Sequence, residues 1–154
     1  MCGIVGYTGT ENAVPKILKG LTVLEYRGYD SVGIAGTLNG EIELSKCKGR
    51  VDILKQTIKT QGFPKLFCAI GHTRWATHGA PSYENAHPHK TDVLALVHNG
   101  IIENADKTTD FFFPFLFFGY SLIRITKSRL IASTVSPFSI KIAPSVTSLI
   151  IPSN

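Results

Sequence analysis

Met1-Cys2-Gly3-Ile4-Val5-Gly6 opens the chain, and the reading of the fold works outward from it. Cysteine is small enough for the initiator methionine to be trimmed, which leaves one residue bearing both a thiol and a free α-amine. An α-amine titrates near about 7.7–8.0 and a cysteine thiol near about 8.5, so close to neutral pH either gives up a proton at little cost. Nucleophiles activated by an adjacent amine are an established catalytic arrangement. Gly3 is read as letting a substrate approach the backbone, and Ile4-Val5 as starting a buried strand that fixes the terminus. Taken alone, a small residue at position 2 carries no functional meaning, so the rest of the chain decides.

Length and charge bound the answer. A chain of 154 residues suits one domain with a sizeable core. The net charge of +5 is unevenly placed: residues 1–105 hold 11 basic and 9 acidic side chains, and residues 106–154 hold 5 and 2. No Lys/Arg cluster in the first part resembles a nucleic-acid footprint, so no nucleic-acid partner is expected. Cys2, Cys47 and Cys68 are odd in number and widely spaced, which argues against a disulfide framework and a zinc knuckle and for a reducing, cytoplasmic setting. No basic-then-apolar leader is visible.

Ile4 to Tyr7 read as a strand ending at Thr8-Gly9. Asn12 then caps a helix with Pro15 in its first turn and Val14, Ile17, Leu18, Leu21 and Leu24 on one face. Gly20 costs that helix up to about 1 kcal/mol relative to alanine, so close packing is expected there. After the polar loop Arg27-Gly28-Tyr29-Asp30-Ser31, residues 32–38 and 42–44 alternate on either side of Asn39-Gly40, the signature of an antiparallel hairpin. Lys46 to Arg50 are expected to carry charge out of the sheet. Val51, Leu54 and Ile58 mark a surface helix ending at Gly62, and residues 66–71 and 93–97 read as buried strands with Cys68 a small core residue.

Between those two strands the chain is dense in Arg, Thr, His and Asn: residues 72–79, Asn85-Ala86-His87-Pro88-His89, and then His98-Asn99-Gly100. Loops at strand ends are where rigid scaffolds place chemistry. Arg74 has the planar fork that grips a carboxylate, and Asn99 with the Gly100 N–H supplies two donors for a developing oxyanion. Together with a Cys2 thiolate these make an acyl-transfer site that attacks a carboxamide carbon. Plainer readings stand beside this one: Arg74 pairs with Glu84 or Asp92, Trp75 is core, and Asn99-Gly100 is a turn. The five histidines, His72, His78, His87, His89 and His98, are read as hydrogen-bonding struts and not a metal site. No HExxH or CxxC accompanies them, and His87 and His89 are taken to point apart.

Five runs carry a resemblance: Cys2-Gly3-Ile4-Val5-Gly6, Glu25-Tyr26-Arg27-Gly28-Tyr29-Asp30-Ser31, Gly71-His72-Thr73-Arg74-Trp75-Ala76-Thr77-His78-Gly79, Asn85-Ala86-His87-Pro88-His89 and His98-Asn99-Gly100-Ile101-Ile102-Glu103-Asn104. In this order they are similar to the glutaminase domain of the glutamine–fructose-6-phosphate aminotransferase family, a branch of the class II glutamine amidotransferases. The resemblance implies an α+β N-terminal-nucleophile hydrolase fold, with two stacked antiparallel sheets between helix layers. It implies that Cys2 attacks the side-chain amide of L-glutamine, forms a glutamyl thioester and releases ammonia, with its α-amine moving the proton. Arg74 would hold the substrate carboxylate, Thr77 and His78 would line the pocket, Trp75 would cover it, and Arg27 would order the nucleophile. Asn99 and Gly100 would form the oxyanion hole. No cofactor and no metal are implied. Fructose 6-phosphate would be a partner only through a separate sugar isomerase domain, absent here, where ammonia is used to make glucosamine 6-phosphate.

Composition changes after Ala105. The 49 residues from 106 to 154 hold 7 of the 9 phenylalanines, 13 Ser and Thr, and one of the 14 glycines. The Phe-rich run from Phe111 is interrupted by Pro114 and followed by Arg124, so no membrane span is expected. Residues 121–154 show no sustained period of 2 or 3.6, and the strands that would close the second sheet are expected to be missing. On this reading residues 2–105 are a partial amidotransferase domain and 106–154 an unrelated tail, disordered or an artefact of the gene's end. The acidic residue that grips the glutamine amino group in the family is not visible. The alternative function is a catalytically dead fragment or a non-catalytic interaction module.

Overall fold

The computed structural model describes residues 2–77 and 79–99 together with the backbone of three later strands, 121–126, 130–134 and 149–151. β1 (Gly3–Thr8), α1 (Ala13–Leu24), β2 (Ser31–Leu38), β3 (Glu41–Lys48), α2 (Val51–Gln61), β4 (Cys68–Arg74), β5 (His89–Lys90), β6 (Leu94–Asn99), β7 (Ser121–Thr126), β8 (Leu130–Thr134) and β9 (Leu149–Ile151) follow in chain order. They form a five-stranded sheet in the order β3-β2-β4-β1-β9 and a four-stranded sheet in the order β5-β6-β7-β8. Every pairing is antiparallel. The architecture is α+β.

The first sheet is buried on both faces, and the period-2 alternation of its strands sorts side chains between two cores. Val5, Tyr7, Val32, Ile34 and Ala69 meet Ile17, Leu21 and Leu24 of α1 and Val51 and Leu54 of α2. Ile4, Ala35, Ile42 and Ile70 turn the other way, against Ala95 and Val97 of the second sheet. Burial of each such aliphatic side chain contributes roughly 1.5–3 kcal/mol before entropy is set against it. Both helices lie on one face of the first sheet, and among the described residues no helix covers the second.

Local chemistry explains most boundaries. Asn12 Oδ1 accepts from the Val14 N–H at 3.1 Å, which caps α1, and accepts from the Leu66 N–H at 3.3 Å, which ties the cap to the approach to β4. At Gly20 β1 packs tightly against α1, since a Cβ there would stand 2.9 Å from Val5 Cγ1. Asn39 and Gly40 take φ of 51° and 81°, the pair of left-handed conformations that a two-residue hairpin requires.

Three expectations are corrected. Gly3 does not open space for a substrate: a Cβ would lie 2.7 Å from Leu24 Cβ and 2.8 Å from Thr73 Oγ1, so the glycine is required by packing. Lys46 does not leave the sheet. It sits within β3 and donates to Ala86 O at 2.8 Å, and loss of hydration moves its ammonium pKa down. Strands also follow residue 105: β7 extends the second sheet from β6, β8 continues it, and β9 joins β1. These strands are 6, 5 and 3 residues long, too short for a sustained period to register, although Leu122-Ile123 and Leu130-Ile131 carry apolar, partly β-branched character.

Candidate active site

β1 and β4 run antiparallel with Gly3 opposite Thr73, which brings Cys2 beside the point where β4 ends at Arg74. The Trp75 N–H donates to Cys2 Sγ at 3.4 Å, and the thiol lies 3.8 Å from Trp75 O. Cys2 is half-buried, held by the backbone of the residue after the strand. Trp75 is 45% exposed and therefore not core. Its indole meets Tyr29 edge-on, with ring centroids 5.4 Å apart.

The loop that carries Trp75 hangs on Asp30. The Asp30 N–H donates to Arg74 O at 3.2 Å, and the Asp30 carboxylate accepts from the Ala76 N–H and, at 3.1 Å, from Ser31 Oγ. Gly28 lets the two segments touch. A Cβ at position 28 would lie 2.6 Å from the Arg74 carbonyl carbon and 2.8 Å from Trp75 N, and backbone atoms cannot give way as a flexible side chain would.

From the second sheet comes Asn99, at the end of β6 and 8% exposed. Its Nδ2 donates to Cys2 O at 3.3 Å, while its Oδ1 lies 2.8 Å from Nε2 of His72 in β4. The two sheets are thus joined at Cys2. A thiol, a backbone N–H pointing at it and a side-chain amide within reach make up an arrangement able to hold a carbonyl while sulfur attacks its carbon.

The other expected residues are placed less uniformly. Arg74 is half-buried and donates to Ala80 O at 3.2 Å and Gly79 O at 3.4 Å, so its guanidinium braces the loop beyond Trp75. Arg27 donates to the Tyr26 hydroxyl at 2.9 Å and lies over that ring. Thr77 is exposed in the same loop as Trp75. His78 and Gly100 lie outside the described residues. Sequence reasoning gave no role to Asp30 or to His72 in particular. A signal for His72 existed: a histidine in the strand Cys68-Ala69-Ile70-Gly71-His72 is a buried polar group that must find a partner.

Three of the histidines meet ring to ring, the first pair tilted and the second edge-on. His72 and His87 have ring centroids 4.6 Å apart, and His87 and His89 4.3 Å apart. The expectation that His87 and His89 point apart is corrected, because residues two apart in extended chain project to the same side. Among the described residues no group of three or more His, Cys, Asp or Glu is arranged to hold a metal ion. Burial is the main cause that pushes the His72 pKa down to about 4, only partly opposed by hydrogen bonding to Asn99 and the His98 backbone. Burial moves His87, His89 and His98 in the same direction.

No protein-family model matches the chain. Curated relatives do. It is 55% identical over 106 residues to glutamine–fructose-6-phosphate aminotransferase (isomerizing) of Caldanaerobacter subterraneus, covering 68% of this chain and 17% of that protein. It is 48% identical over 134 residues to the enzyme of that name from Chlamydia abortus, covering 86% of this chain and 21% of the relative. For that of Staphylococcus aureus the values are 45% over 141 residues, 90% and 23%. The chain is homologous to the N-terminal part of glutamine–fructose-6-phosphate aminotransferase. It spans about a fifth of the length of these relatives, 17–23%. Among solved structures, glutamine phosphoribosylpyrophosphate amidotransferase from B. subtilis matches with a TM-score of 0.66 at 25% identity, over 86% of this chain and 37% of that one. The allosteric regulatory enzyme of purine biosynthesis matches with a TM-score of 0.71 at 25% identity, with the same coverage. The fold is that of the N-terminal-nucleophile amidotransferase domain.

Proposed function

We propose that this chain carries a glutaminase site in which Cys2, exposed as the N-terminal residue by loss of Met1, hydrolyses L-glutamine to glutamate and ammonia. The thiolate sulfur attacks the side-chain carboxamide carbon, the C–N bond breaks, and ammonia leaves with a proton delivered by the α-amine. Water then adds to the thioester, the C–S bond breaks, and glutamate is freed with the thiol restored. Asn99 Nδ2 and the Gly100 N–H take the carbonyl oxygen as it gains charge. Arg74 holds the substrate carboxylate, Trp75 covers the pocket with Thr77 and His78 at its wall, and Arg27 steadies the approach to Cys2.

The observation that carries this reading is the joint placement of Cys2 Sγ on the Trp75 N–H and of Asn99 Nδ2 on the Cys2 carbonyl. Homology to proteins named for aminotransfer from glutamine supports the substrate. Three free thiols fit a reducing, cytoplasmic setting. Among the described residues no helix is long and apolar enough to cross a membrane. Transfer of the ammonia to fructose 6-phosphate would need a sugar isomerase unit like the remainder of those relatives.

Mass spectrometry after treatment with a diazo-ketone analogue of glutamine tests the site. The expected product is a chain without Met1, labelled at Cys2 and protected by excess glutamine. Cys47 and Cys68 should stay unlabelled, because burial pushes both thiols above their ordinary pKa. Absence of selective labelling in a trimmed chain would sink the proposal.

A further inference from the structure

We infer that His72 is a positioning residue of the glutaminase site: with its proton on Nε2 it donates to Asn99 Oδ1 and so turns the Asn99 NH2 group toward Cys2. This rests on the reading just given for Cys2 and Asn99. One atom in the trio has a fixed polarity. The Cys2 carbonyl oxygen can only accept, and it lies 3.3 Å from the Asn99 side-chain nitrogen. A flipped amide would set oxygen against oxygen there. Oδ1 must therefore face the other way, onto His72 Nε2 at 2.8 Å, and because Oδ1 also only accepts, Nε2 must carry the proton.

The surroundings enforce the same tautomer. His72 Nδ1 is buried with no hydrogen-bond partner among the described residues, so the His98 backbone, which also favours a proton on this ring, acts on the Nε2 side. A proton there would bury an unsatisfied N–H and leave two acceptors facing each other at Nε2 and Oδ1. A second proton would bury an unpaired charge, and His72 at 1% exposure resists it. The His87 ring, 4.6 Å away, restricts rotation of His72.

The consequence is directional. Asn99 Nδ2 has two N–H bonds; one is spent on Cys2 O, and the second is left for the substrate oxygen as it becomes an oxyanion. Without this tether only the Cys2 carbonyl selects the amide's orientation, so the flipped form, whose oxygen would face the oxyanion and repel it, gains population. Hydrogen bonding to Oδ1 also polarises the amide, which strengthens its N–H bonds as donors.

The test compares His72→Phe and His72→Gln with the parent in the full chain, Met1 removed. Cys2 labelling is timed with two reagents that both alkylate sulfur: the diazo-ketone, which takes up a proton and loses N2 while its ketone oxygen lies against the Asn99 amide, and iodoacetamide, which loses iodide and needs no such seating. Removal of an oxyanion donor outright costs about 10²–10³-fold in turnover, so misdirecting one should slow glutamine hydrolysis roughly 10–100-fold in His72→Phe, with diazo-ketone labelling slowed in the same direction. Iodoacetamide labelling should stay within about twofold. His72→Gln, which keeps a donor, should regain most of the rate. In parallel, long-range 1H–15N NMR should find His72 neutral with its proton on Nε2. Equal slowing of both reagents, no slowing, or a proton on Nδ1 would each overturn the assignment. A parent chain that takes iodoacetamide but not the diazo-ketone would end the glutaminase reading alone. His72 would then stand or fall on its tautomer and on whether the Asn99 NH2 resonances move in the Gln variant.

Discussion

Asp30 shows how much a single carboxylate organises here. It accepts from the Ala76 N–H while its own N–H holds Arg74 O, so the segment that seats Cys2 is fastened at two points, and Ser31 Oγ donates to the same carboxylate. Hydrogen bonds to charged groups contribute about 1.5–3 kcal/mol, and Asp30→Ala should lower the urea-unfolding free energy by that order. Diazo-ketone labelling of Cys2 should fall by at least about tenfold, since small misplacements of reacting groups are costly. Unchanged labelling would show that the Trp75 loop keeps its place without Asp30. At this scale Cys2, Trp75 and Asn99 were legible, because thiol, aromatic and amide chemistry stand out wherever they occur. Gly3 and Asp30 were misread or passed over, because what they do depends on Leu24, Thr73 and Ala76, far off in sequence.

Elements with local causes were the easiest to read. The Asn12 cap, the Asn39-Gly40 hairpin and the apolar face of α1 each lie within a few residues of what they determine. The start of α2 has a remote cause: Arg50 at its N-terminus supplies no side-chain cap, and Glu25 Oε1 accepts from the Val51 N–H at 2.8 Å in its place. Glu25→Ala should therefore destabilise the fold by about 0.5–2 kcal/mol, as loss of a cap does, with circular dichroism detecting the lower melting midpoint. A change of zero would mean that water caps α2 equally well. Gly28→Ala should be worse for the site than for the fold, since its Cβ would displace the backbone at Arg74 and Trp75. Peptide mapping of Cys2 labelling is the measurement, with near-complete loss expected and a normal rate contradicting it.

For the whole molecule, the buried histidines set a pH limit. An unfolded histidine takes up a proton near 6.5, whereas His72 in the fold does so only near about 4. Between those values the unfolded chain binds more protons, so stability falls as pH drops from 6.5 toward 4. The slope is up to about 1.4 kcal/mol per pH unit for this one group, and the loss levels off below its folded pKa. His87, His89 and His98 act in the same sense. Urea midpoints should hardly change from pH 8 to 7 and should drop steeply from 6.5 to 4.5; a flat profile would mean that these rings are hydrated. The tail was the least legible part. Strands of 3–6 residues leave too short a pattern to read, and their place is set by β6 and β1.

The antiparallel register of Gly3 with Thr73 also imposes an order of events during synthesis. The first strand emerges from the ribosome 70 residues before its partner, 73 less 3. At about 5–20 residues per second, that leaves β1 without β4 for roughly 4–14 s. Until β4 and β6 have been made, Cys2 has neither the Trp75 N–H nor the Asn99 amide beside it, so the surroundings that would activate the proposed nucleophile are assembled after the terminus itself.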